Sequence, residues 1–150
     1  MEQEQVFNFL DEKEGLEGFT AGEISHLEDV KKVMKFADYL FYILFLMLSL
    51  ILTYNRKDKK FTLRLLKFGG IGTIVFVLLI LIFTLVSFNF SFTVFHKIFF
   101  PQGNWTFPFD SKLIQTFPLE FFIEVSRNMF VLSLVLGVLI VGIGRKVMRK

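Results

Sequence analysis

The chain has 150 residues, 53% of them hydrophobic, a net charge of +3 and no cysteine. The lack of cysteine excludes disulfides, thiolate metal sites and a thiol nucleophile. No basic patch is interleaved with stacking aromatics, which argues against a nucleic-acid partner.

The hydrophobic residues are concentrated in three uncharged runs, at 39–55, 68–95 and 128–144. A bilayer core is spanned by about 20 apolar residues, with roughly 17 as the lower limit. A soluble reading would need three very apolar helices hidden inside one small domain, which has too little interior for them. The expected fold is therefore an all-α integral membrane protein. It has about three transmembrane helices, an extracytoplasmic N-terminal helix and an outer loop of short helices.

Residues 1–19 are acidic and read as a mobile tail, neither a signal peptide nor a transit peptide. Residues 20–150 read as a single membrane domain with spans at about 36–54, 68–90 and 128–145. Two capping boxes, Thr20–Glu23 and Ser25–Glu28, offer alternative starts for the first long helix. No Gly or Pro interrupts Glu23 to Tyr54, so one helix is expected to run into the membrane. His26 and Asp29, at i and i+3, share a face of it. A carboxylate so placed can fix an imidazole tautomer and raise its basicity.

The loop 55–67 carries six bases and one acid. Glycines at 69, 70 and 72 fit either a close contact between membrane helices or a helix start. Between 88 and 127, Phe88, Phe92, Phe95 and Phe99 recur at helical spacing. Helix is preferred to strand there, because an isolated strand beside lipid leaves backbone groups unpaired. Pro101, Gly103 and Asn104 break the pattern, and Trp105 suits a membrane–water interface. "DSKLIQTF" reads as a short helical turn capped by Asp110. Pro118 suits the first turn of the last helix, which carries Glu120, Glu124 and Arg127 ahead of its apolar stretch. Gly137, Gly142 and Gly144 form no clean small-xxx-small pair.

Residues 145–150 carry four bases and no acid. Basic loops stay cytoplasmic, so the N-terminus is expected outside, 55–67 inside, 88–127 outside and the C-terminus inside. Lys31, Lys32 and Lys35 oppose this and are outnumbered. The basic segments also read as contacts for anionic membrane lipid. Both histidines then fall on the outer side. A lone interfacial imidazole is readily an amphipathic anchor; two on one side of the membrane invite a shared role. His26, Asp29, His96 and Asp110 could supply metal ligands, but their spacing matches no zinc pattern, and no metal or other cofactor is expected. Ser25, Ser91, Ser111 and Ser126 lie in no nucleophile elbow, so the nucleophile of any reaction is expected to come from the substrate.

"EISHLEDVKKVM" (23–34) and "FTVFHKIFFPQGNWTFPFDSKLIQTFPLEFF" (92–122) resemble the two motifs of the lipoprotein intramolecular transacylase family. The second motif has a histidine between aromatics, an Asn–Trp pair, Asp-x-x-Leu-Ile and Phe-Pro-x-x-Phe-Phe. Here these are His96, Asn104–Trp105, Asp110–Leu113–Ile114 and Phe117–Pro118–Phe121–Phe122. The resemblance implies an acyltransferase of the cell membrane. It moves an acyl chain from the glyceryl ester of a diacylated lipoprotein to that lipoprotein's N-terminal cysteine amine. It further implies His26 and His96 as the catalytic pair on the extracytoplasmic side. Asp29 would orient His26, and Asn104, Trp105, Asp110 and Arg127 would position substrate. Family members usually begin with a further membrane helix, so a short form or a truncated reading of the gene is expected. A second copy or a partner subunit would then replace that helix. The alternative is a non-enzymatic membrane interaction protein or one subunit of a larger assembly.

Overall fold

The structure is a computed structural model that describes residues 2–12 and 15–148, with side chains as far as Arg145. Among the described residues six helices make up the regular structure: α1 (Glu2–Leu10), α2 (Ala21–Tyr54), α3 (Lys59–Val86), α4 (Phe88–Phe99), α5 (Lys112–Thr116) and α6 (Leu119–Met148). No strand occurs among the described residues. Helices α2, α3 and α6 are long and apolar enough to cross a membrane, with mean hydropathies of 2.0, 2.7 and 2.0. In a bilayer core only helices or closed barrels satisfy every backbone group internally. None of the most apolar window of α2 is buried within the protein; lipid is the solvent that suits such a surface.

The element boundaries are set by local chemistry. Of the two capping boxes, the structure uses Thr20–Glu23. The Glu23 carboxylate accepts from the Thr20 backbone N–H at 2.7 Å and the Thr20 hydroxyl at 2.8 Å. The Glu23 N–H donates back to Thr20 Oγ1 at 3.3 Å. Ser25–Glu28 lies inside α2. Helix α3 begins nine residues before the expected span, because Asp58 caps it by accepting from the Phe61 N–H at 2.9 Å. It ends at Val86, short of residue 90, where extended Ser87 separates it from α4. The cap of α5 is Ser111, not Asp110: the Ser111 hydroxyl accepts from the Ile114 N–H at 3.3 Å. Pro118 stands just before α6, and its carbonyl accepts from the Phe121 N–H at 3.0 Å.

The chain divides into two compact units. The first comprises 1–40 and 89–124. Its core is built from Val6, Phe19, Leu27, Leu113 and Phe117. Where composition points to a tail, α1 is a helix that buries Val6 to 1% exposure. Its acidic residues obscure an apolar side formed by Val6, Phe9 and Leu10, at helical spacing. Phe7 meets Phe117 edge-on at 5.8 Å. Gln3 donates to the Thr116 carbonyl at 2.9 Å and Lys31 to the Phe9 carbonyl at 2.8 Å.

The second unit comprises 41–88 and 125–150. Here α3 and the apolar part of α6 approach closely at glycines. A Cβ on Gly70 would lie 2.8 Å from Val141 Cγ2 and 3.0 Å from the Gly137 carbonyl oxygen. One on Gly137 would lie 2.8 Å from Ile74 Cγ1. Without a side chain at either position the helices can pack backbone to backbone. Gly69 and Gly72 play no part; a Cβ on either meets no atom within 4 Å. The close-contact reading thus applies to Gly70 alone, and its partner lies in the glycine run that shows no regular spacing.

Candidate active site

His26 lies in the second turn of α2, ten residues before the expected first span. His96 lies in the last turn of α4. The structure brings them together. Their rings stack with centroids 6.1 Å apart and 26° between planes. Both are buried, at 7% and 8% exposure.

Aromatic rings enclose the pair. Phe100 touches both, with centroids 4.9 Å from His26 and 5.4 Å from His96. Phe92, Phe95 and Trp105 pack on His96 at 4.0, 5.4 and 5.0 Å. Phe107 lies 5.7 Å from His26. The turn after α4 makes this possible. Gly103 adopts φ +81° and donates its N–H to the Phe100 carbonyl at 3.1 Å. Side-chain-bearing residues rarely adopt that conformation. The turn carries Asn104 and Trp105 back onto the histidines.

The hydrogen bonds define the chemistry of each ring. His96 Nδ1 lies 2.8 Å from the Phe92 carbonyl oxygen. A carbonyl can only accept, so Nδ1 carries the proton and a neutral His96 keeps its lone pair on Nε2. Burial lowers the His96 pKa, against the opposing effect of the Phe92 carbonyl. Burial also lowers the His26 pKa, reinforced by the neighbouring His96 and opposed by Asp29 and Asn104. Both imidazoles are therefore neutral near pH 7, since the unperturbed value is about 6.5.

Asp29 does not bond His26 directly. Its carboxylate accepts from Lys32 at 2.8 Å, Gln102 at 2.6 Å and Asn104 at 2.8 Å. These donors, Lys32 first and then Asn104, hold the Asp29 carboxyl below the usual range. Asp29 reaches His26 through its charge and through Asn104. The Asn104 amide nitrogen also faces Ser25 Oγ at 3.3 Å. That leaves Asn104 Oδ1, which is buried and unpartnered, as is His26 Nδ1. One is an acceptor and the other can donate, so the two are complementary.

Of the other expected positioning residues, Trp105 sits against His96. Asp110 is exposed. Arg127 is exposed and belongs to the second unit. Among the described residues no three His, Cys, Asp or Glu side chains gather as a metal site would need.

Sequence reasoning missed Gln102 and Phe107 as parts of the site, and the structural role of Glu23. The Glu23 carboxylate, 1% exposed, also accepts from the Leu113 N–H at 2.7 Å. It thereby ties α2 to α5. Burial pushes its pKa up, but the Leu113 and Thr20 N–H groups and the Thr20 hydroxyl outweigh that and hold it below the usual range.

Residues 2–122 match the family of the lipoprotein intramolecular transacylase Lit. The chain belongs to that family. The part matched to the Lit family includes α1, both histidines, Asp29, Gln102, Asn104 and Trp105, and stops before Arg127. An uncharacterized protein of Aquifex aeolicus (strain VF5) is 29% identical over 135 residues. That alignment covers 88% of this chain and 59% of the relative, so the chain spans about three-fifths of its length. No solved structure matches the chain.

Proposed function

We propose that this Lit-family chain is a membrane-embedded lipoprotein transacylase that uses His96 as general base and His26 as its partner. The observation that carries the reading is the stacked pair, in which the Phe92 carbonyl holds the His96 proton on Nδ1 and leaves Nε2 basic. The nucleophile is the substrate's own cysteine α-amine, so the protein needs no serine or thiol.

The amine nitrogen attacks the carbonyl carbon of a glyceryl ester on the same lipoprotein. An N–C bond forms and the ester C–O bond breaks. His96 Nε2 takes the proton from the amine and returns it to the departing glyceryl oxygen, which leaves as a hydroxyl. Protonated on both nitrogens, His26 keeps Nδ1–H toward Asn104 and offers Nε2–H to the tetrahedral oxyanion. An α-amine titrates near ~8 and an unperturbed histidine near ~6.5; burial holds His96 below that, so His96 takes the proton as the attacking nitrogen becomes positively charged and more acidic. General acid–base help of this kind is typically worth ~10²–10⁴-fold. Holding amine and ester in one place adds an orientation effect. Phenylalanines around the histidines suit a substrate that is half lipid: the rings hold the acyl region at the water boundary. The basic loops 55–67 and 145–150 favour the cytoplasmic side, which puts this site on the extracytoplasmic face of the cell membrane.

Co-expression with a diacylated test lipoprotein, followed by mass spectrometry of its N-terminal peptide, tests the proposal. The expected product has one acyl chain on the cysteine nitrogen and one on the glycerol. A peptide still diacylated on glycerol with a free amine would refute it.

The low exposure of both rings favours a second reading, in which the pair is a packing element of a non-enzymatic interaction protein. In that case replacing either histidine lowers stability and changes no lipoprotein.

A further inference from the structure

The second unit carries a groove that the transacylase reading does not use. It lies between α3 and α6 and encloses about 400 Å³. Ile71, Ile74, Val138 and Val141 form its apolar walls, Gly142 opens one side, and Arg145 stands at its end. Between Val138 and Arg145 the helix rises about 10 Å, within the ~15 Å of one leaflet's hydrocarbon.

Gly142 differs from the other helix glycines of this contact. Gly70 and Gly137 are required by the close approach of the helices, and a Cβ on Gly144 would lie 3.3 Å from Lys67 Cβ. A Cβ on Gly142 would meet nothing within 4 Å. A glycine inside a helix costs up to about 1 kcal/mol relative to alanine. At 142 no packing contact requires it, and its effect is to leave the groove open.

The charge at the groove's end is one-sided. Lys67 precedes Ile71 by four residues, so it shares the groove's face of α3, and its Cβ lies beside Gly144, next to Arg145. Neither Lys67 nor Arg145 forms an ion pair among the described residues. Asp58 is the only acid in 41–88 and 125–150, against eleven lysines and arginines. Asp58 is engaged as the cap of α3.

We propose that this groove is a binding site for an anionic phospholipid. One acyl chain lies between Ile71, Ile74, Val138 and Val141, over Gly142. The headgroup phosphate is held by Arg145 and Lys67. Arginine suits a phosphate because its planar fork offers parallel N–H donors. An apolar slot without a cation would take any lipid, and a basic surface without a slot would take any polyanion. The two together select a lipid with a negative headgroup.

Native mass spectrometry of the full chain in mild detergent, titrated with phosphatidylglycerol or phosphatidylcholine, tests this. The first phosphatidylglycerol adduct is expected on the order of tenfold tighter or more, from about 1 kcal/mol for each cation near the headgroup. Arg145→Gln should narrow the preference about fivefold. Gly142→Leu should fill the slot and weaken both lipids while leaving the melting temperature of the second unit no lower, since its Cβ meets no atom within 4 Å and the rest of the side chain enters the open groove. Equal affinity for the two lipids in the unaltered chain overturns the proposal. So does a phosphatidylglycerol affinity unchanged by Gly142→Leu, which would assign the lipid to the loop 55–67. Loss of phosphatidylglycerol to millimolar inorganic phosphate would show a phosphate site without a chain slot, and also overturns it.

Discussion

Glu23→Ala should destabilise the first unit by about 2–4 kcal/mol. The buried carboxylate accepts three hydrogen bonds, from the Leu113 N–H, the Thr20 N–H and the Thr20 hydroxyl. Hydrogen bonds to an ionised group are worth about 1.5–3 kcal/mol each, and a buried donor left unpaired costs about 1–3 kcal/mol. Water can replace the carboxylate at the partly exposed Thr20, whereas the bond to the Leu113 N–H is buried. One full desolvation penalty and part of two exposed bonds give the range stated. The folded-state pKa of Glu23 lies below the ordinary 4.5. Its contribution is therefore complete above pH ~4.5 and is lost as pH falls through the lower folded value. Trp105 is the only tryptophan and lies in the first unit, so its emission during urea unfolding in detergent reports that unit. The variant should unfold at lower urea, and the difference from the parent should shrink as pH drops below ~4.5. An unchanged midpoint at pH 7 would refute the view that Glu23 ties α2 to α5.

His96→Gln and His26→Gln should each lower transacylation by about 10²–10⁴-fold, measured as product per protein at equal expression. Asp29→Asn removes a charge that raises the His26 pKa. The His26 ring should then titrate at lower pH by NMR, while the acid limb of the rate profile, set by the base His96, should stay in place. Both imidazoles have folded pKa values below 6.5, so the unfolded chain takes up protons first on acidification. The Trp105 unfolding midpoint should accordingly fall as pH drops below ~6.5, and His26→Gln should reduce that slope. Gly70→Val places atoms where a Cβ already lies 2.8 Å from Val141, and overpacking of this kind costs about 1–3 kcal/mol. Gly72→Ala, at a site with no neighbour within 4 Å, should be neutral or stabilising by up to about 1 kcal/mol, both variants being read by thermal melts followed by circular dichroism.

The spans were readable because an uncharged run long enough for a bilayer is a one-dimensional signal. The capping boxes, the turn at Gly103 and the aromatic spacing around His96 were equally local. What lay beyond the sequence depended on contacts between distant segments. The acidic residues of α1 gave it the composition of a tail, and the core that buries Val6 is completed by Phe19, Leu27, Leu113 and Phe117 from other segments. Asp29 was visible as a neighbour of His26 on one helix face. Of its actual partners Lys32 is local, whereas Gln102 and Asn104 lie more than seventy residues away. Asp110 was expected as a cap from residue type, and a one-residue difference in helix start gave that place to Ser111. The glycine contact joins two runs, neither of which carries the spacing of a packing motif alone. The histidine pair came from the family resemblance, and the structure gives the distance that spacing could not.

The most direct test uses the purified chain alone with a synthetic peptide bearing an N-terminal S-diacylglyceryl cysteine. Tandem mass spectrometry then locates each acyl group. The account predicts one chain moved to the cysteine nitrogen by the parent protein and no transfer above background by His96→Gln. Equal transfer by both proteins would contradict it, as would a parent protein that leaves both chains on glycerol.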